Sequence, residues 1–416
     1  MRKFWNSFDR SVPLEQTLAT AKALRGSYGI TRIGETTYLD RIGIPTISAV
    51  VPNSPDILGV YNGKGLSRDH AVASALMEAL ERQICARHTL PVFQTSVAGC
   101  DSLLDLKELG WLGEIRGTTD AIRGTNLLTG DPVEVPRGLV DCPRRGPQLF
   151  RYTSTNGLAS GNNATEAIYH ALFELIERHM WSSVHVRAHI WPRALHLRSG
   201  LPLEAPDDAI CDDVVDADRH PIVGDLLQRV TAAGLDIRLL TFRQRGWPSA
   251  MLACIKEPEQ RRLFYHLGMG CSWSPAHAAI RAITEAAQAR VTDIQGARED
   301  IRQADDGPKA ERFEHGRRPS GYPMSGRWYF DGPAGAVKLA DLEDRSATDL
   351  ARELDAVLDT LRSFGETCVA YVDLTPPGCP VSVARVIVPH LERTLVDGSI
   401  SSRFRRLFDN PLGSFT

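Results

Sequence analysis

A helical pattern that returns three times in the same frame constrains this chain more than any other feature. It reads Ala71-x-x-Ser74-Ala75-Leu76-Met77-Glu78-x-x-Glu81-Arg82 and again Ala167-x-x-His170-Ala171-Leu172-Phe173-Glu174-x-x-Glu177-Arg178. The third copy, Ala278-x-x-Arg281-Ala282-Ile283-Thr284-Glu285-x-x-Gln288, ends in an amide where the others carry a carboxylate. Each copy is rich in strong helix formers with an apolar face, and each follows a glycine pair: Gly63 and Gly65, Gly157 and Gly161, Gly268 and Gly270. Three strand–Gly turn–helix units are therefore predicted.

A second self-similarity lies outside these units. One helix leads through Gly234 into Leu235–Leu240, then through Gly246-x-Pro248 into Ser249–Cys254. Another, from about Thr348, leads through Gly365 into Cys368–Val372, then through Gly378-x-Pro380 into Ser382–Val388. Both read as helix–strand–turn–strand with alternating apolar residues. The expected fold class is α+β, with helices packed on largely antiparallel sheets. Irregular chain is expected over about 196–220 and about 301–326, where Pro, Gly and charged residues cluster.

The 416 residues would by length alone make two to three structural units, with ordinary apolar content for a sizeable core. A formal charge of −3 leaves no footprint for nucleic acid or an anionic membrane, so neither is expected as a partner. The N-terminus has no apolar run that reads as a signal peptide, and no stretch approaches the roughly 20 apolar residues of a spanning helix. The eight cysteines form no CxxC or CxxH pair and read as reduced, mostly buried thiols of a cytoplasmic protein.

Residues three apart on a helix share a face, so Glu78/Glu81, Glu174/Glu177 and Glu285/Gln288 each offer two oxygen-bearing side chains to one place. Oxygen-rich carboxylate sets suit Mg²⁺, which typically also bridges substrate phosphates. Arg82, Arg178, Arg281 and Arg290 are then candidates to neutralise phosphate charge. Lys64, in the Gly63-Lys64-Gly65 turn before the first helix, could add a point charge beside the helix N-terminus, or be an exposed turn lysine. A single ExxER is ordinarily a solvated face with an intrahelical ion pair. Three copies in register have no such explanation. His170 reads as a hydrogen-bonded structural histidine before a general base, and Asn156 and Asn162 read equally well as turn or helix caps and as phosphate donors.

At these residues the sequence resembles the YcaO family, enzymes that activate backbone amides of ribosomally made peptides and of proteins. The likeness runs from Gly29-Ile30-Thr31-Arg32 to Val386-Ile387-Val388-Pro389 and rests on three motifs. Sx3ExxER falls at Ser74, Glu78, Glu81 and Arg82. The Asn-Gly-x-Ala-x-Gly run with ExxER falls at Asn156, Gly157, Ala159, Gly161, Glu174, Glu177 and Arg178. RxxxExxQ falls at Arg281, Glu285 and Gln288, followed by Gly296-Ala297-Arg298-Glu299-Asp300.

The resemblance implies a single domain over 1–416, with a first half of 1–195 carrying two ExxER helices and a second half of 220–416. It implies ATP and Mg²⁺ as cofactors, metal ligation by Glu78, Glu81, Glu174, Glu177 and Glu285, and nucleotide contacts from Arg32, Lys64, Ser74, Arg82, Asn156, Arg178, Arg281 and Gln288. It assigns no general base. In the implied mechanism a nucleophile adds to a peptide carbonyl, the oxyanion takes the γ-phosphoryl group of ATP, and phosphate leaves. Sulfide would give a thioamide, a neighbouring Cys, Ser or Thr an azoline, and an amine an amidine.

Leu39–Pro45 and Gly63-Lys64-Gly65 look most like members that work alone or with a TfuA partner, and the profile leans towards thioamide formation. The end Asn410–Thr416 lacks the Pro-rich tail of azoline-forming members. Val51-Pro52 and His170 depart from Arg-Pro and Gln, frequent in relatives at those places. No winged-helix leader-binding module is evident, so a partner or a groove of the chain would hold the precursor peptide. A homodimer is the base-rate expectation.

Overall fold

The computed structural model describes Lys3 and residues 9–191, 197, 211–242, 244–258, 265–296, 328–332, 334–398 and 400–409. The predicted irregular stretch 301–326, the 297–300 segment and the tail 410–416 lie outside those residues. Of the other stretch, 196–220, the described end is ordered: Cys211–Val215 forms a strand and Ala217–Arg219 a 3-10 turn.

Three sheets carry the fold. The first is antiparallel, in the order β1 (Arg32–Glu35), β2 (Thr46–Val50), β3 (Val60–Lys64). The second contains β4 (Phe93–Ser96), β5 (Thr118–Asn126), β6 (Pro132–Pro136), β7 (Leu158–Gly161), β13 (Ala370–Asp373) and β14 (Ser382–Ile387), in the order β4-β5-β13-β14-β7 with β6 also on β5. The third runs β11 (Tyr265–Ser272), β10 (Ser249–Lys256), β9 (Asp236–Phe242), β8 (Cys211–Val215), β12 (Gly335–Lys338). Only the β8–β12 pair is parallel among the described ladders. The α+β expectation holds. Because β7 pairs with β14 and β5 with β13, strands from both ends of the chain share one sheet.

The helices are α1 (Leu14–Leu24), α2 (Arg68–Arg87), α3 (Val97–Leu104), α4 (Arg137–Val140), α5 (Ala164–His185), α6 (Pro221–Ala232), α7 (Pro275–Gly296) and α8 (Leu350–Phe364), with two short C-terminal helices after them. Local chemistry sets their starts: the Ser67 hydroxyl accepts from His70 N before α2, and the Asn163 amide oxygen accepts from Glu166 N before α5. Gly365, at φ +103°, ends α8 in the left-handed conformation that glycine adopts without strain.

The glycine pairs were expected in turns; Gly157 is in one, at φ +82°, but at four other glycines the structure corrects the expectation. Gly63 lies within β3, Gly161 ends β7, and Gly268 and Gly270 lie within β11. They are strand residues over which the next helix passes at backbone contact. A Cβ at Gly63 would sit 2.2 Å from Ala71 O and Ala75 N, one at Gly268 2.1 Å from Ala286 N, and one at Gly270 2.1 Å from Ala278 O. The facing residues are the repeated alanines: Ala71, Ala75, Ala167, Ala171, Ala278 and Ala282 are fully buried. Glycine against alanine brings helix and strand axes closer than any larger pair allows, and overpacking there carries a steric cost. Three apolar cores fill the remaining space, around α2, around α5 with α8, and around α6 with α7.

Candidate functional site

α2, α5 and α7 meet around a cavity of about 280 Å³. Glu78 and Glu81 enter it from α2, Glu174 and Glu177 from α5, and Glu285 from α7; Ser74, Arg82, Arg178, Arg281 and His170 also line it. Close strand–helix packing fixes these side chains, because each helix is seated on its own strand and cannot roll. Backbone donors orient the carboxylates further: Ser160 N donates to Glu81 Oε2 at 2.8 Å, Gly157 N to Glu174 Oε2 at 3.3 Å, and Met269 N to Glu285 Oε1 at 3.4 Å.

Burial and mutual repulsion dominate the electrostatics. Burial pushes Glu78 up to about 7 against the pull of Lys64 and Arg82, and pushes Glu174 up to about 7 against Arg178. Glu81 is raised well above the carboxylate range by burial and by Glu174 and Glu78, and Glu177 is raised by burial and by Glu285. Glu285 is the exception: burial opposes its charge, but Lys64 and Arg178 outweigh that and hold it at about 2. Lys64 Nζ donates to Glu285 Oε2 at 2.5 Å.

The donor set suits a hard dication. It is all oxygen, it suffers like-charge repulsion that a cation would relieve, and Glu177 Oε2 is buried without a hydrogen-bond partner. Among the described residues no group of three His, Cys, Asp or Glu side chains gathers closely enough to enclose a metal ion alone. Mg²⁺ commonly takes only one or two carboxylates and completes its shell with water and phosphate oxygens. Walls spaced around a cavity match that habit.

The cationic residues divide. Arg178 Nη2 stands 3.7 Å from Glu177 and 4.0 Å from Glu285, with its guanidinium over the Trp181 ring, and Arg281 Nη2 stands 3.9 Å from Glu177. Arg82 is held by Asp56 in two hydrogen bonds of 2.8 and 2.9 Å, so its guanidinium anchors α2. Arg290, expected to face phosphate, instead binds Asp40 at 3.0 Å and Glu257 at 2.8 Å, tying α7 to neighbouring loops. Gln288 likewise turns away: its Nε2 donates to the Asn62 carbonyl of β3 at 2.5 Å. Arg32 is exposed on β1 and lines none of the cavities described here. Asn156 lines a smaller neighbouring cavity. Asn162 accepts from Thr17 at 3.0 Å and donates to the Glu166 carboxylate at 2.8 Å, side-chain bonds that are not a helix cap; the cap of α5 is its neighbour Asn163. His170 is kept neutral by burial and by Arg10, and its Nε2 has no hydrogen-bond partner among the described residues, contrary to the expected bonded role.

Sequence reasoning missed Asp56, Arg10 and Arg385. Asp56 lies in a Pro-containing turn segment 26 positions before its partner Arg82, where aspartate is ordinarily a turn residue. A larger cavity of about 860 Å³, lined by Leu66, Ile222, Ile280 and Leu339 among others, lies to one side. It is more apolar and has no comparable carboxylate set, so the smaller cavity is the chemical candidate.

The family model described as YcaO cyclodehydratase, ATP-ad Mg2+-binding, matches residues 62–392. This chain belongs to the YcaO family. ATP and Mg²⁺ are the cofactors of that family. An uncharacterized protein of Methanothermobacter thermautotrophicus is 36% identical over 89% of this chain and 91% of its own length. A Rhizobium leguminosarum bv. trifolii protein, described as lying in the tfuA 3' region, is 32% identical over 92% of this chain and 89% of its own. The structure of YcaO from Methanopyrus kandleri bound with AMPPCP and Mg²⁺ has the same fold, with a TM-score of 0.68 and 24% identity over 96% of this chain and 98% of that one. No helix among the described residues is long and apolar enough to cross a membrane, and all eight cysteines are free thiols, seven of them buried.

Proposed function

We propose that this YcaO chain binds Mg·ATP between α2, α5 and α7 and uses it to activate a backbone amide of a ribosomally made peptide or protein. The nucleophile is sulfide, the product a thioamide, and a TfuA-like protein the partner that delivers sulfur. The observation that carries the ATP assignment is the convergence of five glutamates and two arginines, Arg178 and Arg281, on one cavity. The tfuA-region relative supports the choice of sulfide and of partner.

ATP supplies the phosphoryl group that makes the amide oxygen a leaving group, and Mg²⁺ offsets the triphosphate charge. Glu78, Glu81, Glu174, Glu177 and Glu285 are the metal-holding set. Arg178 and Arg281 face the phosphates, and Ser74 and Lys64 stand at the cavity edge. Arg82 acts by fixing α2 through Asp56.

The test is incubation of the protein with Mg·ATP, sulfide and a precursor peptide encoded beside its gene, read by peptide mass. Replacement of one oxygen by sulfur, with release of ADP and phosphate, is expected. Loss of one water would instead mark an azoline and overturn the thioamide assignment. A catalytically idle docking scaffold would leave both ATP and peptide unchanged.

A further inference from the structure

Next to the carboxylate cavity lies a second, much smaller one of about 50 Å³. The two are neighbours through single residues: Thr155 and Glu174 line the first, Asn156 and Leu175 the second. The small cavity contains two buried polar atoms without hydrogen-bond partners, Arg385 Nη1 and Asn156 Oδ1. Arg385 is only 6% exposed. Its Nε donates to the Leu139 carbonyl at 2.9 Å, and Leu139 also lines the cavity.

A buried guanidinium with no ion pair is expensive, and a buried orphan carbonyl adds to the cost. The charged and titratable groups facing Arg385 do not resolve this. Cys85 and Cys142 are thiols that burial keeps protonated, Arg82 is a like charge, and Glu174 is directed to Gly157 N and the other cavity. Arg393, the other cation of the lining, donates to the Pro389 and Glu108 carbonyls. Arg385 and Asn156 are not bonded to each other, and both line this one small cavity. One water needs roughly 10–15 Å³, so the space has room for a few waters or a small ion and excludes a nucleotide.

The geometry points to this cavity as a binding site for hydrosulfide, the attacking nucleophile, held by Arg385 at its charged sulfur and by Asn156 at its proton. The assignment rests on the sulfide reading above and deepens it. Hydrosulfide matches both orphans and the buried charge, because it carries one negative charge and one donor; chloride offers no donor to Asn156, and water no charge to offset Arg385. The reaction balances. The sulfur lone pair forms the new C–S bond while the carbonyl π pair moves to oxygen. That oxygen takes the γ-phosphoryl group as its bond to ADP breaks, then leaves with it as phosphate, which also carries off the S–H proton. A site beside the phosphate cavity keeps the nucleophile near the reacting carbonyl without placing it among five carboxylates.

The experiment is anaerobic calorimetric titration of sodium hydrosulfide into the full chain, with no ATP or peptide, for the wild type, Arg385→Gln, Arg385→Lys and Asn156→Leu. Saturable binding by the wild type is expected, weakened about tenfold or more in R385Q, as for loss of one charge-assisted hydrogen bond. R385K guards against misfolding: it keeps the charge and is expected to retain part of the affinity, with unchanged melting and Mg·ATP binding. N156L is expected to lose the preference for hydrosulfide over chloride while still binding chloride. Absence of binding by the wild type, or equal hydrosulfide affinity in R385Q, overturns the site. If sulfur enters the peptide yet sulfide dependence is identical in R385Q, the site falls and amide activation stands. If hydrosulfide binds as expected but no product contains sulfur, the anion site stands and the thioamide reading falls.

Discussion

Helices α2 and α5 each turn both glutamates of their pair into the cavity, whereas α7, built on the same frame, turns in only Glu285. Its fourth-turn neighbours are used otherwise. Gln288 holds the Asn62 carbonyl of β3, and Arg290 holds Asp40 and Glu257. The difference teaches where negative charge is tolerated. Four glutamates from α2 and α5 already repel one another, with burial raising every one of them. An amide in the third copy adds no charge and leaves α7 free to act as a strut between the first sheet and the third.

The largest expected effect follows from that division. Glu81→Gln or Glu174→Gln lowers ATP-dependent turnover by about a thousandfold, a loss of several kcal/mol of charge stabilisation, while Gln288→Ala changes it less than about threefold. Steady-state phosphate release measures both. Equal losses at all three positions would erase the comparison.

Next is the anchoring of α2. Asp56→Ala leaves the Arg82 guanidinium buried without its bidentate partner and is expected to destabilise the fold by about 3 kcal/mol in chemical denaturation. Arg178→Met, on α5, instead weakens Mg·ATP binding and leaves the melting temperature nearly unchanged. The same motif position lines the cavity on both helices, but is clamped by Asp56 on α2 and set beside Glu177 and Glu285 on α5.

The two helices also start differently. Asp69 in the first turn of α2 is exposed, whereas Glu166 in the first turn of α5 is buried against Arg10, Ser11 and Asn162. Burial alone would raise Glu166, but Arg10 and the Ser11 hydrogen bonds outweigh it and lower it from 4.5 to about 2. A depressed carboxyl stabilises the fold above its unfolded value. Stability of about 3 kcal/mol is therefore present above pH 4.5 and lost as pH falls through the window down to about 2. Denaturation midpoints across that window should flatten in Glu166→Gln; an unchanged acid limb would count against the pairing.

The smallest effect belongs to the strut. Gln288→Ala removes one donor from the Asn62 carbonyl and should cost about 1 kcal/mol in stability.

The three-helix frame was legible because one short helical motif returns in strict register at Glu78, Glu174 and Glu285, and the five cavity glutamates follow from its spacing. The α+β class followed from the two helix–strand–strand segments, whose strands pair antiparallel as β9 with β10 and β13 with β14. Less legible was anything set by long-range pairing. Arg82, Arg178 and Arg290 look alike in sequence, and only Asp56, 26 residues from Arg82, and Asp40, 250 residues from Arg290, decide which of them is anchored. Gly63, Gly161, Gly268 and Gly270 were misplaced for a related reason. A turn and a close helix–strand crossing both demand glycine, and they differ only in what stands opposite, which is the alanine ladder. Asn156 was a family-level assignment to the nucleotide; its position in the adjoining cavity depends on the Asn156–Gly157 backbone turning between two lobes of the site.

The central claim is that glutamates from three helices hold Mg·ATP in one cavity, and calorimetric titration of ATP into the wild type and Glu177→Gln, each with Mg²⁺ and with chelator, tests it most directly. The account predicts wild-type binding that requires Mg²⁺ and is weakened at least about tenfold by the substitution. Binding of equal strength without Mg²⁺, or unaltered by the loss of the Glu177 charge, would contradict it.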